Sequence, residues 1–146
     1  MKRVTQADVT AILPLFQNET DNYLATGTRR IERSEILTWV EAEEKDLFIL
    51  YEREKVAAYG EIWVDETEGT LEFAHLLVAP EFRLAGFGKR LLEGLLLEAK
   101  KYPYDEIFLR VLPENKAVLD FFRQFGFAVL TSPFEGSIWM KRKNLK

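Results

Sequence analysis

The spacing of apolar residues changes period several times along the chain, and each change marks an element. Met1 to Val4 has the length of a short strand. Thr5-Gln6-Ala7-Asp8 has the form of a capping box ahead of Val9, Ile12, Leu13 and Phe16 at helical spacing, and Pro14 should kink that helix or end it early. Asn22 to Arg30, with Gly27 inside it, reads as loop. Ser34 is placed to cap a second helix whose inner face carries Ile36, Leu37 and Val40. From Leu47 the period becomes that of strands. Leu47 to Tyr51 predicts a buried strand, Glu52 to Lys55 a polar turn, Val56 to Val64 a second strand and Asp65 to Gly69 a looser turn. Thr70 to Ala79 predicts a third strand stopped by Pro80.

A strong amphipathic helix follows, from about Phe87 to Lys101, with Leu91, Leu92, Leu95, Leu96 and Ala99 as its apolar stripe and Pro103 beyond its end. Ile107 to Leu112 predicts a strand, Glu114 to Phe125 a helix closed by Gly126, and Phe127 to Leu130 with Ser137 to Met140 a final strand pair. The order β-α-α-β-β-β-α-β-α-β-β describes an α+β protein with one mixed sheet and helices packed on it. At 146 residues, with no internal repeat, residues 1–146 are expected to form a single domain.

Composition removes several chemistries. The absence of cysteine excludes disulfides, thiolate zinc sites, iron–sulfur clusters and a cysteine nucleophile, and a single histidine argues against a histidine-built metal centre. The expected site therefore holds no metal. No apolar run approaches a membrane span, and the N-terminus leads into no signal-peptide core, so the expected location is the cytoplasm. A net charge of −4 speaks against nucleic-acid binding. Residues 1–80 carry 8 Lys and Arg against 16 Asp and Glu, whereas residues 81–146 carry 12 against 8. One half suits a cation and the other an anion.

The segment from Val78 to Lys89 carries the most chemistry. A strand ends, a short loop turns, and a helix begins behind Gly86, Gly88 and Lys89. Unpaired amides and the positive end of a helix dipole, approached closely past glycines, suit a phosphate group. Arg83 and Lys89 add formal charge. A Walker loop is excluded because Arg90 follows Gly88-Lys89, and a dinucleotide fingerprint is excluded because Leu91 holds its third glycine position.

Arg83-Leu84-Ala85-Gly86-Phe87-Gly88 matches the [QR]xxGx[GA] signature of the GNAT superfamily of acyl-CoA-dependent N-acetyltransferases. Leu77 to Phe82 resembles the strand and VxPxxR segment that precede it in that family. Asn115-Lys116-Ala117 through Phe125-Gly126-Phe127 resembles the later NxA…GF segment. The resemblance implies a GNAT-type, mostly antiparallel sheet of six to seven strands, with helices on both faces and a V-shaped split at the site of acetyl-CoA. Backbone amides of Leu84, Ala85, Gly86, Phe87, Gly88 and Lys89 would hold the pyrophosphate. Leu77 and Val78 would pair with the pantetheine arm as with an added strand. Asn115 would reach the cofactor from the other side, although asparagine equally suits a helix start.

The same resemblance makes Glu72, eleven residues before Arg83, the candidate base for the attacking amine. His75 is the rival, but strand alternation points it to the opposite face unless a bulge shifts the register. Where many members carry a tyrosine acid for the departing thiolate, this chain has Phe122, which cannot donate a proton. Water or a hydroxyl of Tyr59, Ser132 or Ser137 would have to substitute. On the acceptor side stand Glu19, Asp21 and Asn22, with Tyr59, Glu61 and Trp63 alternating along one face of a strand. Such a pocket favours a cationic amine: a polyamine, an aminosugar, or a lysine or N-terminal amine. The expected activity is acetyl transfer by direct attack in a ternary complex, the alternative being a CoA-binding sensor or scaffold that keeps the cradle without catalysis. Ile138, Trp139 and Met140 are candidates for pairing in a homodimer.

Overall fold

Seven strands form one sheet in the order β1-β2-β3-β4-β5-β7-β6 in the computed structural model, which describes residues 1–130 and 136–146. The strands are β1 (Lys2–Arg3), β2 (Lys45–Glu52), β3 (Lys55–Asp65), β4 (Thr70–Val78), β5 (Glu106–Val111), β6 (Ala128–Val129) and β7 (Ile138–Lys143). All neighbours are antiparallel except β4 and β5. The helices are α1 (Val9–Ile12), α2 (Glu19–Thr26), α3 (Arg33–Glu41), α4 (Phe87–Ala99) and α5 (Leu119–Arg123), with 3-10 turns at Gln6–Asp8, Leu13–Phe16, Pro80–Phe82 and Pro113–Val118. Among the described residues no helix is long and apolar enough to cross a membrane.

Two cores explain the layers. On one face Phe48, Ile62, Leu71, Phe73, Ile107, Leu109 and Met140 pack against Leu91, Leu92, Leu95 and Ala99 of α4. On the other, Leu47, Ile49, Tyr59 and Leu77 pack against Val9, Ile12, Phe16 and Ile36 from the N-terminal helices. Strand alternation sends successive residues to these two cores, so each central strand reads as almost wholly apolar.

Three local readings change. Residues 22–30 are not a single loop: α2 occupies Glu19–Thr26, capped by the Asn18 carboxamide accepting from the Asp21 amide at 2.9 Å and ended by Gly27 at φ 81°. The second helix is capped at Glu32 rather than Ser34, with Glu35 bonding back to the Glu32 amide. The segment after β5 is a 3-10 turn followed by the short α5, with Asn115 at φ −106°, ψ 21° breaking the helical run. At Pro14 the α-helix gives way to a 3-10 turn, and the Thr5 amide and hydroxyl both donate to Asp8.

The relation that positions the site is where β4 leaves β5. Their parallel pairing joins Leu71 to Ile107, Glu72 to Phe108 and Phe73 to Leu109, and then stops. Residues 74–78 continue along β3 but no longer pair with β5, so the sheet opens into a split. A bulge on β4 accompanies the divergence. Between the pairs Glu61–Ala74 and Tyr59–Leu77, Gly60 alone faces the two residues His75 and Leu76. Gly60 is needed there, since a Cβ at that position would lie 2.9 Å from Leu76 Cδ2 and 3.1 Å from Leu95 Cδ1.

Candidate active site

The split leads into a cleft of about 310 Å³ whose walls include Leu76, Leu77 and Val78 of β4, Gly88 and Leu91 of α4, Asn115, and Phe121 and Phe122 of α5. Asp21, Leu24 and Ala25 of α2 and Arg83 close its mouth. Of the residues expected around the cofactor, Leu77, Val78, Arg83, Gly88, Asn115 and Phe122 all line this one cleft. Leu84, Ala85, Gly86, Phe87 and Lys89 complete the loop and first turn at its end.

That loop is built for backbone exposure. Leu84 is fully exposed at φ 63° and Gly86 sits at φ 85°, so the chain turns twice through the left-handed region before α4 begins. No side chain caps α4, and Arg90 is the residue whose amide closes the first helical bond, onto Gly86 at 3.1 Å. The amides of the preceding turn have no place within the helix ladder and point outward along its axis. An anion is the natural partner for them. Phe87 turns inward to the α4 core, which anchors the loop.

Two contacts tie α2 across the cleft. Arg83 Nη2 meets Asp21 Oδ2 at 2.7 Å, and the Tyr23 hydroxyl donates to Glu114 Oε2 at 2.7 Å. Asp21, expected with the acceptor pocket, thus stands against the loop before α4. Asn22 is buried and donates its carboxamide to the carbonyls of Phe16 and Arg29, holding the ends of α2 in place. Glu19 is exposed in the first turn of α2.

Glu72 lies on the last rungs where β4 and β5 are still paired, opposite Trp63 on one side and Phe108 on the other. Arg110 Nε donates to its Oε2 at 2.8 Å, and the guanidinium also lies over the rings of Trp63 and Trp139. Burial raises the Glu72 carboxyl above the usual carboxylate range, against the opposing hydrogen bond and charge of Arg110. Glu72 opens into a broad cavity of about 1260 Å³ bordered by Trp63, Phe108 and Trp139 and rimmed by acidic side chains such as Glu43, Glu44 and Glu66.

The bulge decides where His75 points. At φ 55° it lies in the left-handed region, and its ring turns to the face of Glu61 and Trp63, the same face as Glu72. His75 Nδ1 is 2.8 Å from Glu61 Oε2, and the ring sits 4.7 Å from Trp39 and 5.2 Å from Trp63, centroid to centroid. Simple alternation, which separates the two residues, is corrected by the extra residue on β4. Glu61 is wholly buried and also accepts from the Tyr59 hydroxyl at 2.6 Å and from Trp63 Nε1 at 2.6 Å. Burial, joined by the Glu61 charge, pushes the Tyr59 hydroxyl well above its usual range, so it is occupied rather than free to act as an acid. Ser132 lies outside the described residues.

Residues 12–127, well over half of the chain, match the model of the acetyltransferase (GNAT) family. The chain belongs to the GNAT family.

Solved structures agree on the fold. The ribosomal-protein-alanine N-acetyltransferase of Brucella melitensis superposes with a TM-score of 0.81 at 19% identity, covering 97% of this chain and 98% of that one. The acetyltransferase-like YncA of Salmonella typhimurium, solved with its cofactor acetyl-CoA, gives 0.80 at 20% identity and covers 99% and 93%. The PaiA N-acetyltransferase of Thermoplasma acidophilum, solved with coenzyme A, gives 0.77 at 16% identity and covers 97% and 96%. No curated protein matches the sequence. Within this GNAT framework, sequence reasoning missed Arg110 as the partner of Glu72 and the role of α2 as a wall of the cleft. Arg110 alternates with Phe108 on β5, a signal that needs the β4–β5 register to be read. For α2 the signal was present, because Asn18 and Gly27 stand at cap positions on either side of an eight-residue helix.

Proposed function

We propose that this GNAT protein transfers an acetyl group from acetyl-CoA to a primary amine by direct attack within a ternary complex. The observation that carries this reading is the split itself. β4 sheds its β5 partner after Phe73, and the free edge of residues 74–78 runs to the uncapped start of α4. An extended pantetheine arm fits the edge as an added strand, and a pyrophosphate fits the outward amides of Leu84 to Lys89. Gly86 and Gly88 suit close approach, since a Cβ on Gly86 would meet nothing within 4 Å and one on Gly88 would touch only the Phe121 ring and Val78, at 3.5 Å and beyond.

Acetyl-CoA supplies the activated acyl group; the rest falls to side chains and backbone. Glu72 acts as base, taking a proton from the amine. Its raised pKa matches that task better than an ordinary carboxylate would. Amides of β4 at the split polarise the acyl carbonyl. Trp63, Phe108 and Trp139, with the acidic rim, favour a cationic acceptor such as a polyamine, an aminosugar or a lysine or N-terminal amine. No cysteine is available to carry the acyl group, which supports direct attack.

One observation keeps a second reading in view. Phe122 is buried in the cleft wall where many GNAT members place a tyrosine acid, and it offers no proton to a departing thiolate. A CoA-binding sensor or scaffold would tolerate that residue. Glu72→Gln separates the two. An enzyme loses thiol release about 100-fold or more while acetyl-CoA still raises its melting temperature; a binding module responds to the substitution in neither assay.

A further inference from the structure

A fully buried carboxylate without a lysine or arginine salt bridge is unusual, and among the described residues Glu61 is one. Tyr59 and Trp63 each donate to it at 2.6 Å, and His75 Nδ1 lies 2.8 Å from its Oε2. The tryptophan can only donate, so Oε1 is an acceptor; Oε2 is shared between the phenol and the imidazole. His75 is itself held in a backbone conformation that non-glycine residues rarely adopt, at the bulge that opens the split. Strain of this kind persists where the surroundings over-determine it, and here the surroundings are Glu61 on one nitrogen and the rings of Trp39 and Trp63. Among the described residues the other nitrogen, Nε2, has no hydrogen-bonding partner.

We infer that Glu61 is a positioning residue that keeps His75 protonated at Nδ1, leaving Nε2 as a second proton acceptor for the amine beside Glu72. This rests on the proposed function. Two protons leave the nitrogen in this reaction, and a second acceptor gives the second of them a route. An ammonium group that becomes an amide loses two protons as the N–C bond forms and the C–S bond breaks. One proton ends on the departing thiolate and the other in solvent. Glu72 and His75 share a face of the sheet. The ionisable group in contact with His75 is Glu61 of β3, which Tyr59 also bonds, and Glu72 of β4 shares its face. Arg110 of β5 reaches the same face through Glu72, and α3 contributes the uncharged Trp39. A carboxylate behind an imidazole is the arrangement that fixes tautomer and ring orientation in other proton-moving sites.

His75 is the sole histidine of the sequence, so its imidazole nitrogens can be followed without assignment ambiguity. The test pairs 15N NMR titration of that ring with the pH profile of kcat/KM, in wild type, Glu61→Gln, Tyr59→Phe and His75→Gln. The neutral ring is expected as the Nδ1-protonated tautomer. One ionisation in the kinetic profile coincides with the NMR midpoint, and Glu61→Gln displaces both by the same amount and in the same direction. His75→Gln removes that ionisation and lowers kcat about 100-fold, while acetyl-CoA affinity is unchanged. Tyr59→Phe, which keeps the ring stack with Phe16, reads the same coupling should Glu61→Gln fail to fold. A wild type inactive with every amine overturns both this inference and the proposed function. An active wild type overturns this inference alone if its kinetic ionisation ignores the His75 titration, if the opposite tautomer appears, or if His75→Gln turns over normally.

Discussion

Arg83, in the loop before α4, and Asp21 of α2 meet at 2.7 Å across the mouth of the cleft proposed for acetyl-CoA. A pyrophosphate arriving there competes with Asp21 for the guanidinium, so the ion pair opposes binding. Asp21→Asn is therefore expected to tighten acetyl-CoA about two- to fivefold, the scale of a half-exposed ion pair at roughly 0.5–1 kcal/mol. Arg83→Ala should weaken it by about tenfold or more. Isothermal titration calorimetry on the two variants measures both; weaker binding by Asp21→Asn would place Asp21 on the side of the ligand.

Gly88→Ala separates folding from binding. The new Cβ would sit 3.5 Å from the Phe121 ring, an ordinary contact, on a helical residue where alanine is the better former. The melting temperature should hold or rise while acetyl-CoA affinity falls, because the methyl stands in the cleft. Gly86→Ala should instead lose stability, by about 1–2 kcal/mol, since Gly86 occupies φ 85°. Thermal melts with and without ligand distinguish the two.

Phe122→Tyr tests the missing acid. Phe122 lines the cleft proposed for acetyl-CoA, so a hydroxyl on its ring should raise kcat severalfold. A kcat unchanged under conditions where chemistry limits turnover would show that thiol protonation is supplied elsewhere.

Glu72 should give stability and activity opposite pH trends. Burial raises its carboxyl pKa in the folded state above the unfolded value. The folded protein therefore binds that proton more tightly, so the contribution to stability is present at low pH and is lost as pH rises through the folded-state pKa. The catalysis proposed for the carboxylate runs the other way and should decline as pH falls through the same value. Relative to Glu72→Gln, the wild type should gain stability on acidification while kcat/KM drops. Urea unfolding and initial rates on both sides of the transition check this pair of slopes.

Gly60→Ala probes the bulge. The added methyl would stand 2.9 Å from Leu76 Cδ2 and 3.1 Å from Leu95 Cδ1, so those leucines have to repack, at an expected cost of about 1–3 kcal/mol. Denaturant unfolding measures the loss; a neutral substitution would mean that the bulge can repack freely.

Much of this arrangement was legible from residue spacing. The strands from β2 to β5 and the α4 stripe follow from period alone, because each buries a continuous apolar face. The exposed loop ahead of α4 was legible because glycines and a helix start leave a compositional trace. Two features left little or none. α2 presents a mostly polar surface, so its periodicity is faint, and its caps at Asn18 and Gly27 were the stronger sign. The bulge at His75 leaves no mark in residue type: neither glycine nor asparagine stands there, and only pairing with β3 reveals the additional residue. One residue of register then decides whether His75 meets Glu61 or the α4 core.

Acetyl-CoA-dependent release of free thiol, measured across polyamines, aminosugars, amino acids and lysine peptides, tests the central claim most directly. Release with one class of cationic amine, abolished by Glu72→Gln, is the predicted result. Silence across the panel while acetyl-CoA still raises the melting temperature would contradict acetyl transfer to these amines and favour the CoA-binding module.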